Sequence, residues 1–157
     1  MRLVFWAGFW VFLADQASKY LVVHWMNLRE VGSIDVLPPV LNLRMAWNYG
    51  INFGFFSGDS DSTRWILIGI AIIIIAFVLY WLRKEEFGKI GLISAGILIG
   101  GALGNIIDRI LYGAVADFLN MSCCGFTNPF SFNIADIAIF AGAFGMVLFA
   151  GDTKKEA

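Results

Sequence analysis

The chain has 157 residues, 59% of them hydrophobic and only 15% charged, with a mean hydropathy of +0.76. A soluble domain of this length is usually about 25% charged and no more than half apolar, so the bilayer is the natural solvent for this one. A formal net charge of -1, with no basic run of five or more residues, argues against a nucleic-acid partner.

Four stretches, residues 3–23, 65–82, 90–111 and 133–150, are long and apolar enough to cross a hydrocarbon core about 30 Å thick. The expected fold is an all-α integral membrane protein, a single membrane domain over residues 1–157 with four transmembrane helices. The first stretch competes with a cleaved signal peptide. It runs into Asp15-Gln16-Ala17-Ser18-Lys19, however, and not into an A-x-A cleavage site.

Between the first two stretches lies a segment of about 25–63 that is expected to form a small extracytoplasmic β platform. Residues 41–48 (Leu-Asn-Leu-Arg-Met-Ala-Trp-Asn) alternate with a period near two, the pattern of a strand. Pro38-Pro39 before them and Gly50, Gly54 and Gly58 after them punctuate the platform. The aromatic residues Trp47, Tyr49, Phe53, Phe55 and Phe56 suit a surface resting at the membrane interface; a plain interfacial loop is the alternative. The third stretch carries Gly96, Gly100 and Gly104, a small-xxx-small repeat that lets a neighbouring helix approach closely. An outer loop is expected between helices three and four. It contains the only two cysteines, Cys123 and Cys124, which read as loop thiols because a bridge between sequence neighbours needs strained geometry. No CxxC or Cys/His metal spacing occurs, His24 stands alone, and no metal or cofactor is expected.

Lysine and arginine set the orientation. With four crossings, both termini share a side with the loop over 83–89, and that side carries Arg2, Arg83, Lys84, Lys89, Lys154 and Lys155. Arg29, Arg44, Arg64 and Arg109 are spread over far more residues on the other side, so both termini are expected in the cytoplasm.

Ionisable groups inside membrane helices are costly and mark function. Here they converge. Helix one rises outward, and at 1.5 Å per residue Asp15 lies roughly 18 Å above its start, close to Lys19. Asn105, Asp108 and Arg109 sit near the outer end of helix three, Asn133 and Asp136 at the outer start of helix four, and Asp117 between them. Four carboxylates from three segments therefore reach one depth near the outer surface. Duller explanations exist for each: Asp15 and Lys19 at i, i+4 neutralise each other, and Asn133 caps a helix with Asp136 in its first turn. The chemistry available to such a cluster is narrow. No serine sits in a nucleophile elbow and the histidine has no partner, which excludes a Ser-His-Asp arrangement. Two adjacent carboxylates share a proton, so one accepts a proton from water while the other donates to the scissile group. Spacing alone leaves open which two of the four aspartates pair.

Five blocks resemble one family, the lipoprotein signal peptidases. Asp15-Gln16-Ala17-Ser18-Lys19 is similar to its D-Q-x-[ST]-K signature, and Asn48-Tyr49-Gly50 to the start of its N-x-G-A-A-F stretch. Residues 100–109 (GGALGNIIDR) resemble its G-G-A-x-G-N-x-x-D-R block, Val115-Ala116-Asp117-Phe118 its V-V-D-F, and Phe132-Asn133-Ile134-Ala135-Asp136 its F-N-x-A-D. The resemblance implies an intramembrane aspartyl endopeptidase that removes the signal peptide from prolipoproteins, cutting before a diacylglyceryl-modified cysteine at the outer face of the bacterial inner membrane. It implies a catalytic dyad of Asp117 and Asp136. Asn48, Asn105, Arg109 and Asn133 would orient the dyad or hold the substrate. Asp108 would be structural, partnering the neighbourhood of Arg109. Asp15 and Lys19 would support the first helix, with Lys19 near the lipid-bearing substrate. The implied partners are the prolipoprotein, membrane lipids and cyclic peptide inhibitors of the globomycin type. The chain departs from the pattern at Ile51-Asn52-Phe53-Gly54, where the family often has two alanines before phenylalanine, and at Ala116 in place of a valine. Two other classes compete: a proton-coupled carrier, which would carry charges toward the midplane and beyond, and a non-catalytic scaffold, whose aspartates would serve folding alone.

Overall fold

A computed structural model describes residues 1–50, 60–123, 125–126 and 128–150. Four long helices dominate: α1 (Arg2–Lys19), continued by a π-helical segment over Tyr20–Trp25, α3 (Ser60–Lys84), α4 (Lys89–Tyr112) and α5 (Ile134–Leu148). They coincide with the four apolar stretches. A single turn, α2 (Leu28–Val31), leads into the platform. Two helices, Asp61–Lys84 and Lys89–Tyr112, are long and apolar enough to cross a membrane. The other two differ for visible reasons: α1 holds Asp15 and Lys19 in its last turns, and α5 has 15 residues. On α3, Ile66, Ile70, Ile73 and Phe77 form an exposed apolar face at helical spacing, a surface that water would disfavour and lipid accepts.

α4 is the central helix, packed against α1 on one side and α5 on the other, while α3 leans on it more lightly. The glycine repeat makes the first of these contacts. A Cβ on Gly100 would run into the carbonyl of Gly8 and come within 2.9 Å of its Cα, and one on Gly96 would lie 3.0 Å from the Cα of Val4. Gly101 faces α5 instead, where a Cβ would lie 2.6 Å from the Ala135 carbonyl. Close backbone approach supplies the van der Waals contact that replaces a hydrophobic drive in lipid. Gly100→Val should therefore separate α1 from α4 and destabilise the fold by roughly 3 kcal/mol, read as a lower melting temperature in detergent. An unchanged melt would show that the helices part without loss.

The platform is a three-stranded antiparallel sheet in the order β1 (Ser33–Leu37), β2 (Leu41–Asn48), β3 (Val115–Met121). β2 is the strand expected from alternation. β3 corrects the expected outer loop: Asp117 stands on a strand, with Ala46 opposite it and Ala116 opposite Trp47. Its residues are buried from Val115 through Phe118, so it presents no polar-apolar alternation to read. Beneath the sheet, Val22, Leu28, Leu43 and Phe118 form a small apolar core. Phe118 and Leu119 both donate N–H to the Phe132 carbonyl, at 3.1 and 2.8 Å, which ties β3 to the entrance of α5.

Cys123 is disulfide-bonded, which corrects the reading of free loop thiols. The chain reverses there in a tight hairpin, Cys123 and Phe126 exchanging backbone hydrogen bonds around Gly125 at φ +83°. The expected covering role of Phe53, Phe55 and Phe56, and the departures at 51–54, lie outside the described residues.

Candidate active site

α5 begins with a capping box. The Asn133 side-chain oxygen accepts the Asp136 N–H at 2.9 Å, and the Asp136 carboxylate accepts the Asn133 N–H at 3.2 Å. This satisfies two otherwise unpaired helix-start donors. It also fixes the amide: with Oδ1 occupied by a backbone donor, Nδ2 must point the other way. There it donates to Asp117 Oδ1 at 2.6 Å and to Asn105 Oδ1 at 3.3 Å. The duller reading of Asn133 as a cap and the reading of it as a site residue are thus both satisfied by one side chain.

A second asparagine is set in the same manner. Asn48, at the end of β2, accepts the Gly50 N–H on Oδ1 at 2.9 Å and donates Nδ2 to Asp117 Oδ2 at 3.0 Å. From α4, Asn105 donates to Asp136 Oδ1 at 2.9 Å. Asp117 and Asp136 come from different elements and meet in one frame of three asparagines. Burial first, and then the neighbouring Asp136 charge, push the Asp117 carboxyl up to about 6 against the opposing hydrogen bonds of Asn48 and Asn133 and the charge of Lys19.

The other two aspartates form a separate unit. Lys19 Nζ lies 2.8 Å from Asp15 Oδ2 and 2.8 Å from Asp108 Oδ2, and donates to Asn105 Oδ1 at 3.3 Å. All three charged residues are buried. Geometry therefore sorts what spacing left open. Asp15 and Asp108 share one lysine as a salt-bridge partner, whereas among the described residues no Lys or Arg forms a salt bridge with Asp117 or Asp136.

Arg109 donates to the Asn105 carbonyl at 3.3 Å and interacts electrostatically with Asp136 and Asp117. Asp108 also acts on it electrostatically, more weakly than Asp136 and Asp117, while the direct salt bridge of Asp108 goes to Lys19. Consecutive helix residues point about 100° apart, and Asp108 turns to α1. Lys19, expected near a lipid-bearing substrate, has its ammonium enclosed by Asp15, Asp108 and Asn105. Gln16 belongs to this cluster although the site reading omitted it: its amide donates to Asp15 and to Asp108, each at 3.1 Å. Its place beside Asp15 in the D-Q-x-[ST]-K block was the signal available.

Residues 8–150 match the profile of the family described as signal peptidase (SPase) II. The chain is 36% identical over 155 residues to the lipoprotein signal peptidase of Vibrio parahaemolyticus serotype O3:K6, covering 96% of this chain and 88% of that one. With its counterpart from Rhizorhabdus wittichii it shares 40% identity over 139 residues, 88% and 79% of the two chains. Among solved structures it resembles a bacterial membrane enzyme determined by the in meso method at 1.9 Å resolution. There the TM-score is 0.80 and the identity 28%, over 100% of this chain and 96% of that one. A second such structure, at 2.3 Å, gives a TM-score of 0.78 at 30% identity. The class is a membrane-associated enzyme, mostly helical with a small antiparallel sheet. The chain belongs to the signal peptidase II family, and is thereby a peptidase of lipoprotein processing.

Proposed function

We propose that this protein is an aspartyl endopeptidase that removes the signal peptide from diacylglyceryl-modified prolipoproteins, cleaving before the lipidated cysteine with water activated by Asp117 and Asp136. The observation that carries the reading is the contrast between the two aspartate pairs. Asp15 and Asp108 share a direct salt-bridge partner in Lys19 and are enclosed, whereas Asp117 and Asp136 share an asparagine frame in which, among the described residues, no Lys or Arg makes a salt bridge, and Asp117 holds its proton up to about 6. In the reaction, Asp136 takes a proton from water as the water oxygen attacks the scissile carbonyl carbon. Asp117 gives its proton to the carbonyl oxygen. The tetrahedral diol then collapses: one diol hydroxyl returns its proton to Asp117 as the C=O reforms, the C–N bond breaks, and the leaving nitrogen takes the proton held by Asp136.

In this reading α1, α3, α4 and α5 all cross the bacterial inner membrane, both termini are cytoplasmic, and the site lies near the outer face. The lipid-bearing substrate enters from the bilayer, and cyclic peptides of the globomycin type compete for the same frame. The test is release of the signal peptide from a diacylglyceryl-modified prolipoprotein by the purified protein in detergent, followed by gel. Unmodified prolipoprotein should remain uncut. Release from neither substrate would overturn the proposal.

The same assay carries a pH prediction. The dyad works with one proton, and Asp117 is its seat, so kcat/KM should fall as pH rises through about 6. A profile flat from about pH 5 to 8 would remove Asp117 from the proton transfer.

A further inference from the structure

Each expected catalytic aspartate is preceded by an alanine whose backbone N–H is held by a buried carboxylate. The Ala116 N–H donates to Asp108 Oδ2 at 3.2 Å, and the Ala135 N–H donates to Asp15 Oδ1 at 2.9 Å. Ala116 and Ala135 stand immediately before Asp117 and Asp136 and are themselves buried. Lys19 joins the two carboxylates, 2.8 Å from each, and Gln16 donates to both as well. A continuous chain of contacts thus runs from the backbone before Asp117, through Asp108, Lys19 and Asp15, to the backbone before Asp136. A buried ion cluster is a weak stabiliser, often no better than an apolar replacement, because desolvation of the charges offsets their attraction. What such a cluster does supply is fixed direction and distance, since each oxygen has one geometry that satisfies its donor.

We propose that Asp15, Lys19 and Asp108 are positioning residues that set the separation of the two dyad carboxylates by clamping the peptide immediately upstream of each. This rests on the dyad reading above. The clamp acts through the backbone before each aspartate. Asp15 fixes α5 where it starts, Asp108 fixes β3 where it passes α4, and Lys19 transmits any shift of one to the other. The glycine at 104 belongs to the device: a Cβ there would collide with the Asp15 carboxylate.

Asp15→Asn and Asp108→Asn test it. Asp15→Asn keeps Oδ1 for the Ala135 N–H and replaces the oxygen that faces Lys19, whereas Asp108→Asn removes the charge from the Oδ2 that serves both Lys19 and the Ala116 N–H; in each, Lys19 keeps one full carboxylate partner and the bridge is weakened on one side. For each variant kcat on lipidated prolipoprotein should fall on the order of 100-fold, the effect of about 1 Å of misplacement, with KM within about twofold. The second readout needs no activity. In protein labelled with 15N-alanine, in detergent micelles, Asp15→Asn should shift the amide resonance of Ala116 as well as that of Ala135, and Asp108→Asn should do the converse. Unchanged kcat, a rise in KM alone, movement of only the adjacent alanine, or failure of both variants to fold would each overturn the clamp. Failure of the dyad reading looks different: Asp117→Asn would still cleave, while the alanine cross-shifts would persist.

Discussion

Asp117→Asn and Asp136→Asn each lower turnover of lipidated prolipoprotein on the order of 10⁴-fold, the upper range for loss of a positioned acid or base, in protein that still melts cooperatively. For Asp117 the two halves of that expectation separate by pH. Its carboxyl is raised from 3.8 to about 6 in the fold, so the native state binds the proton more tightly than the unfolded chain. The stability contributed is fully present below about 3.8 and is lost as pH rises through about 6. Asparagine does not ionise and escapes that loss. It does sacrifice one hydrogen bond: Asn48 and Asn133 both present N–H groups to this side chain, and backbone donors prevent either from turning round. At pH 5 Asp117→Asn should therefore melt below wild type, and by pH 8 the difference should close or reverse. Thermal unfolding at the two pH values, beside the gel assay, checks both parts. A folded variant that still cleaves takes Asp117 out of the chemistry, and one without a cooperative melt at either pH returns it to folding.

The helices were legible because lipid imposes a single requirement, long apolar runs, and the runs at 65–82 and 90–111 meet it without interruption. The strand at 41–48 was legible because one face is more exposed than the other. β3 was not, because burial of Val115 through Phe118 erases the alternation that marks a half-buried strand. The depth of Asp15, Asp108, Asp117 and Asp136 could be counted along the chain, and so their convergence could be seen. Their division into two pairs could not, since it depends on where Lys19 points and on which backbone amides Asn48 and Asn133 accept. Adjacency told only part at Asp108 and Arg109, which interact electrostatically while Asp108 makes its salt bridge to Lys19. The carrier reading wanted charges distributed through the bilayer, and the described ion cluster instead lies wholly at the platform end of α1 and α4.

Asn133 joins the two halves of the site, and its substitution should separate helix capping from catalysis. It is fully buried, caps α5, and among the described residues is the one that hydrogen-bonds Asp117 while exchanging hydrogen bonds with Asp136. Asn133→Ala loses all of this: about 1 kcal/mol for the cap, and on the order of 100-fold in kcat as Asp117 is released from its 2.6 Å contact. Asn133→Ser keeps an oxygen at the N-cap, where serine serves as well as asparagine, but has no amide to reach Asp117. It should recover the melting temperature and leave kcat near the alanine value. Asn133→Asp goes further, because it also caps the helix but sets a third carboxylate against Asp117. An added negative charge favours the protonated form, so the alkaline limb of kcat/KM should move to higher pH even as the maximum rate falls. If serine restored both stability and turnover, Asn133 would be a cap and nothing more, and the frame around Asp117 would rest on Asn48 alone. If it restores stability only, the asparagine amide is needed for the reaction itself, and the start of α5 is built to aim it.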